Sequence, residues 1–353
     1  MRVKLAAAIV TVMLVFASPA AARVHLQFHG QAIVPTGTTF AGTTVGGLSS
    51  ITYDSAHDVY YALSDDPSQF QPVRYYTIGL GVHDGQLTDG DVSLQAVTTM
   101  LAPNGLPYAP FSLDPEGLAL TKDRNLIFTS EGVANNLIDP FIRRYSLGGT
   151  FLSAFPVPQD FLPDAAHTRG VRQNLGFESA GVTADGRYLF SATENALVQD
   201  GPAATVANGS PSRLMRYDLR SDTLDRQWFY ETDRVAQPPV PATQFSVNGV
   251  VEILPLSDHK LLVMERSFSV GAPGTGNTIK LYQVTLPGGP DLRRPVHKKL
   301  VLNLDDLGIP LDNVEGLTFG PRLADGRQTV VLVSDNNFAA SQFTQFLLFT
   351  LKH

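Results

Sequence analysis

Five carboxylates recur at one place in five similar hairpins of this 353-residue chain: Asp65, Glu131, Glu194, Glu265 and Asp335 each close a short apolar run. Three more, Glu116, Glu178 and Glu315, open the partner run, and Gly46 and Asn248 hold that place in the other two hairpins. Acidic residues make up about one in eleven of the sequence, so an acid at all five closing positions exceeds what composition supplies. Crowded carboxylates raise one another's pKa unless a cation sits among them. A set of oxygen donors without His or Cys favours calcium over zinc. The expected calcium ligands are Asp65, Glu131, Glu194, Asn248, Glu265 and Asp335, with Glu116, Glu178 and Glu315 as candidate general bases. Arg266 is the candidate to neutralise charge on a leaving oxygen. Arg169, Arg172, His167 and Asn336 are candidates to meet an anionic substrate. The bland alternative is that each acid caps a turn or pairs with a loop cation such as Arg266 or Arg169.

The hairpins that carry these residues are written by alternating apolar runs around polar turns. Asp114-Pro115-Glu116-Gly117-Leu118-Ala119-Leu120 turns through Lys122-Asp123-Arg124 into Leu126-Ile127-Phe128-Thr129-Ser130-Glu131. Variants start at Glu178 and at Glu315, each with an Ala-Asp-Gly-Arg turn, and weaker copies start near Gly46 and Asn248. Anchored at 46, 116, 178, 248 and 315, the units recur every 62 to 70 residues, which is the signature of a repeat architecture. Four units offer four strands each, about 47–53, 58–64, 73–80 and 91–99 in the first. The fifth offers three, about 314–319, 328–333 and 345–351. An orphan strand at Val24–Phe28 and Ala32–Val34 can supply the missing fourth. The sequence therefore predicts an all-β propeller of five four-stranded antiparallel blades, closed by the N-terminal strand, with six blades as the alternative. Short turns fall on one face, including Pro287-Gly288-Gly289-Pro290-Asp291, and long connections on the other, where function is expected.

Met1 to Ala22 reads as a secretory signal, with Arg2 and Lys4, an apolar run from Leu5 to Phe16 and small residues before Arg23. The run is too short for a confident membrane span, so a periplasmic or secreted chain over 23–353 is expected. Without the leader, 24 Lys and Arg remain against 33 Asp and Glu, which argues against nucleic acid as a partner. A small anionic or ester substrate held through metal stays open, because a bound cation inverts local electrostatics. The absence of cysteine excludes disulfides, thiolate metal sites and Cys nucleophiles. No Gly-x-Ser-x-Gly elbow occurs, so a hydrolase-fold serine has no anchor.

The ordered set Asp114-Pro115-Glu116-Gly117-Leu118, Phe177-Glu178-Ser179, Leu214-Met215-Arg216-Tyr217-Asp218-Leu219, Glu265-Arg266-Ser267-Phe268, Asn313-Val314-Glu315-Gly316-Leu317 and Ser334-Asp335-Asn336-Asn337-Phe338 resembles the phytase-like domain family, described as having esterase-like activity of phytase. The likeness runs from about 40 to 350. It implies a secreted or periplasmic β-propeller and phosphoester or ester hydrolysis. A propeller that binds a ligand or another protein around structural calcium, and a lactonase-like hydrolase, are the alternatives that fold-level likeness leaves open.

Overall fold

In a computed structural model describing residues 24–352, the chain forms five four-stranded antiparallel sheets arranged as propeller blades. The expected leader over 1–22 lies outside the described residues. Blade one runs Leu48–Asp54, Val59–Ser64, Arg74–Leu80 and Val92–Thr99 from axis to rim, and blade two runs Pro115–Leu120, Asn125–Ser130, Phe141–Ser146 and Phe151–Ala154. Blade three runs Gly181–Val182, Tyr188–Ala192, Pro211–Asp218 and Thr223–Glu231; blade four runs Ser246–Pro255, Lys260–Ser269, Asn277–Thr285 and Lys298–Asn303. Blade five takes Asn313–Arg322, Gln328–Asp335 and Thr344–Lys352 from the C-terminal end of the chain and His25–Val34 from the N-terminal part. That last pairing, His25 opposite Lys352 through Val34 opposite Thr344, closes the ring by adding the rim strand of blade five, which covers the edge that Thr344–Lys352 would otherwise present.

Burial follows from alternation. Side chains along a strand point to opposite faces, and in a ring of blades both faces of an inner strand are covered, so inner runs are apolar almost throughout. The buried residues gather into five apolar clusters, one at each junction between neighbouring blades, such as Phe128, Tyr145 and Leu118 against Leu63 and Tyr75. Hydroxyls stitch the inner strands to each other: Ser50 Oγ accepts from the Leu118 amide at 3.0 Å, and Thr129 Oγ1 donates to the Phe177 carbonyl at 3.1 Å. Such close approach excludes side-chain bulk; a Cβ on Gly117 would lie 2.4 Å from Thr129 Oγ1 and 2.8 Å from the Ser179 carbonyl carbon.

One expected turn is replaced. The segment expected to turn tightly at 287–291 instead lengthens into a strand, Asp291–Pro295, which lies parallel beside the rim of blade three. Trp228 draws it there: the indole is fully buried and its Nε1–H donates to the Gly289 carbonyl at 2.8 Å. Burying that ring while satisfying its one donor favours a strap over a short turn.

A candidate metal and hydrolysis site at the propeller axis

Every inner hairpin carries the same irregularity. The inner strand has one residue more than its partner, between Leu48 and Ser50 in blade one, Pro115 and Leu118 in blade two, Val250 and Glu252 in blade four, and Val314 and Gly316 in blade five. In blade three the same excess lies between the Phe177–Thr193 bridge and the Gly181–Phe190 pair. Such a bulge re-aims the extra side chain. The residues at it are Ser49, Glu116, Glu178, Val251 and Glu315, and on the second strand opposite the equivalent positions, each next after the paired Ser64, Ser130, Thr193, Glu265 and Ser334, are Asp65, Glu131, Glu194, Arg266 and Asp335. Gly46 and Asn248, taken from the sequence as the matching positions, lie three residues short of this register.

Blade four is thus the exception, with valine and arginine where most blades place acids. Its second strand continues to Ser269, so Glu265 sits mid-strand and alternation turns it away from the axis. The buried Glu265 carboxylate accepts from Tyr230 Oη at 2.6 Å, from Lys298 Nζ at 2.5 Å, from the Asp233 amide at 2.7 Å and from Asn248 Nδ2 at 3.0 Å. Both residues are consumed in this inter-blade network and neither lines the cavity. Glu265→Ala is expected to lower stability by about 1 to 3 kcal/mol, because it takes the acceptor from the buried Tyr230 hydroxyl, while Lys298 keeps Asp233 as its partner. Calcium affinity measured by titration calorimetry should stay unchanged; a loss of affinity would return Glu265 to the ligand set.

The cavity lies on the long-loop face, holds about 1010 Å³, and has Asp65, Glu116, Glu178, Glu194, Glu315 and Asp335 on its wall together with Asp114 and Asp312. Among the described residues, Arg266 is its only basic lining side chain. Its Nη2 donates to Glu315 at 2.8 Å and stands 3.8 Å from Glu194. Glu315 also accepts from Asn313 Nδ2 at 2.9 Å, and the same amide lies 3.3 Å from Asp335. Two groups of carboxylates offer oxygens within 4.8 Å of one another, Asp114 with Glu116 and Glu131, and Glu131 with Glu178 and Glu194. Glu131 belongs to both. Its Oε1 accepts from the Gly176 amide at 2.5 Å, whereas its Oε2 and the Oε1 of Glu194 are buried with no hydrogen-bond partner. The glycine at 249 keeps space for this arrangement, since a Cβ there would fall 2.3 Å from Glu194 Cγ.

The electrostatic consequence is large. Burial, and then the neighbouring carboxylates, hold Glu116, Glu131, Glu178 and Asp65 far above the usual carboxylate range. Burial pushes Asp114 up to about 6 and Glu194 to about 7, the latter in spite of Arg266. Asp335 is pushed up to about 8 by burial and Glu315. Arg266, though buried, is held above its ordinary value by Glu315, Glu194 and Glu178.

The structure gathers Glu116, Glu178, Glu315, Arg266, Asp65, Glu131, Glu194 and Asp335 around one axis. It does not gather the four residues expected to bind substrate. Arg172 donates to the carbonyls of Ala196 and Gly201 at 3.1 and 2.6 Å, and Asn336 Oδ1 accepts from the amides of Gly47 and Phe338 at 3.1 and 3.0 Å. Both shape loops. His167 is exposed in a left-handed turn, and neither it nor Arg169 lines the cavity. Asp114 and Asp312 are the lining carboxylates that the repeat pattern did not single out. Asp114 stood in the quoted motif beside Glu116, and its place opposite Glu131 follows from the Glu131 amide bonding to the Asp114 carbonyl at 3.0 Å.

A propeller with a carboxylate-lined axial cavity is the class that this fold and site define. The sequence profile of the phytase-like family, described as having esterase-like activity of phytase, matches residues 43–338, and the chain belongs to that family. A search of curated proteins finds no match. Among solved structures, the chain is similar to an endo-arabinase from Bacteroides thetaiotaomicron, at 12% identity over 93% of this chain and 98% of that one with a TM-score of 0.47. It is also similar to a Lactobacillus plantarum protein, at 14% identity over 83% of this chain and 65% of that one with a TM-score of 0.38. The Dos1 propeller matches at 6% identity over 88% and 69% of the two chains, with a TM-score of 0.37.

Proposed function

We propose that this protein is an exported, calcium-dependent hydrolase of phosphoesters or esters, working at the axial cavity. The observation that carries the reading is the pair of carboxylate groups sharing Glu131, with two buried carboxylate oxygens that receive no hydrogen bond, Glu194 Oε1 having only Arg266 Nη2 at 3.8 Å. Buried polar atoms without partners are rare and call for an explanation such as an ion. The donors are all oxygen, which suits calcium. Asp114, Glu116, Glu131, Glu178 and Glu194 would hold it. Bound there, calcium would supply positive charge toward a phosphoryl or acyl oxygen.

The protein's own groups divide the remaining work. Glu178 lines the cavity and is placed to take a proton from water there; positive charge bound beside it would offset the burial and neighbouring carboxylates that raise its pKa and leave it free to act as the base. Glu315 is less free, being bonded to both Arg266 and Asn313. Arg266 offers a fixed positive charge to an oxygen that gains negative charge in the transition state. Export rests on the leader pattern of residues 1–22.

The test is hydrolysis of p-nitrophenyl phosphate, bis(p-nitrophenyl) phosphate and p-nitrophenyl acetate by the protein treated with EDTA and then given calcium. Turnover that appears with calcium supports the proposal. Calcium binding without turnover on any of the three would make the propeller a binding module.

A further inference from the structure

The cavity wall is divided. Asp65, Asp114, Glu116, Asp312, Glu315 and Asp335 come from blades one, two and five and the loops joining them. Every apolar side chain on the wall, Leu175, Ala203, Ala204, Phe245, Val247 and Phe268, comes from the loops and strand ends of blades three and four, which also bring Glu178, Glu194 and Arg266. Phe245 is 61% exposed although it faces a cavity, and its ring centroid stands 6.3 Å from that of Phe268. Phe268 is held in turn by the glycine at 276, where φ is +82° and a Cβ would lie 3.2 Å from the ring. An aromatic side chain left this open gives a mostly polar and charged cavity one apolar contact surface, beside the fixed groups that would orient a ligand.

The charge on the wall limits what can enter. Eight carboxylates line the cavity against Arg266 alone. Two divalent cations would leave the ionised set net negative, so a ligand with several charges meets repulsion that a singly charged or neutral one does not.

We infer that the substrate is an ester bearing at most one negative charge, a phosphodiester or a carboxylic ester, whose apolar group lies on Phe245 and Phe268 while its reacting centre faces the carboxylates. This rests on the hydrolase reading for its direction but not for its test. Highly phosphorylated inositols are then poor ligands, in spite of the family's description.

The test measures binding by titration calorimetry to the calcium-loaded protein. The ligands are the singly charged dimethylphosphinate and methylphenylphosphinate, which carry no ester bond, and inositol hexasulfate as a polyanion that holds calcium weakly and has no phosphoester. Burying a phenyl ring against two others should make the phenyl compound bind about tenfold tighter than the methyl one. Phe245→Ala, at an exposed position, should cut that preference to about twofold with an unchanged melting temperature, and Phe268→Ala should do the same. Inositol hexasulfate should bind more weakly than either. Tightest binding by the hexasulfate, a phenyl preference that survives both substitutions, or no binding by any of the three would overturn the inference. None of the ligands is turned over, so a protein that ranks them as expected and hydrolyses no ester loses only the hydrolase reading. One that prefers inositol phosphates as substrates keeps that reading and loses this inference.

Discussion

In EDTA the melting temperature of this protein should fall as pH rises from 5 to 8, and calcium added at pH 8 should raise it by roughly 5 °C or more. The sign follows from the acids at the axis. Asp114, Glu194 and Asp335 titrate near 6, 7 and 8 in the folded chain because they are buried. In an unfolded chain they titrate at about 4. Between those values the folded state holds protons that the unfolded state has released, so its stability declines with each step up in pH. The stabilisation is complete below about pH 4 and is lost as pH passes through 6 to 8. Because the groups crowd one another, the decline will be broad and will belong to the set. Asp233 acts with the opposite sign: burial opposes ionisation, but bonds from Lys298 and Tyr282 hold it at about 2, so its contribution is already full above pH 5. His29, whose pKa is lowered by burial, adds a rise of stability with pH inside the window, so the decline is read against that opposing contribution of one group. Calcium should reverse the decline, since it stabilises the ionised carboxylates and is displaced by protons. Its effect at pH 5 should be far smaller than at pH 8. Equal shifts at both values, or none, would mean that the carboxylates are settled without an ion.

The sequence announced the blades but misplaced part of the ring. Hairpins such as 116–130 and 314–335 are legible because apolar runs, Asp-containing turns and closing acids repeat together, and the closing role of the N-terminal strand followed from counting strands. The bulge was not legible. It adds one residue in each inner strand, and in blades one and four that residue is Ser49 or Val251, with no charge to mark it. Without that marker the pattern slipped onto Gly46 and Asn248, and Glu265 was taken for the closing acid when Arg266 holds the place. Strand length decides the matter: Lys260–Ser269 outruns the matching strands, so one alternation separates a residue at the axis from one between blades. Loop residues such as Arg172 and Asn336 were misread for another reason. A long side chain that satisfies backbone carbonyls or amides in a turn looks, in sequence, the same as one waiting for a ligand. The apolar wall was missed because Phe245 and Phe268 belong to no repeat.

Glu178→Gln should lower calcium-dependent turnover by about a thousandfold at saturating calcium, the scale expected for loss of a positioned base. The same change should raise the melting temperature of the EDTA-treated protein at pH 8. Glu178 is buried among Glu131, Glu116 and Glu194, and each of those charges lifts its pKa. A neutral amide of the same shape is spared the cost, at pH 8, of either burying a charge or taking up a proton on folding, and it keeps an N–H donor facing Glu131 and Glu194. A site that stores such repulsion for function is expected to stabilise when it is disarmed. The calcium-induced shift should shrink as well, since Glu178 belongs to one of the two carboxylate groups. These three effects separate the readings of the ring. If the acids only cap turns, Glu178→Gln leaves the EDTA melting temperature level or lowers it, because a cap has been weakened. If calcium is structural and the cavity binds without reacting, stability moves as described but no turnover exists to be lost. Only an active site yields a more stable metal-free protein, a smaller response to calcium and a near-complete loss of hydrolysis from one isosteric change.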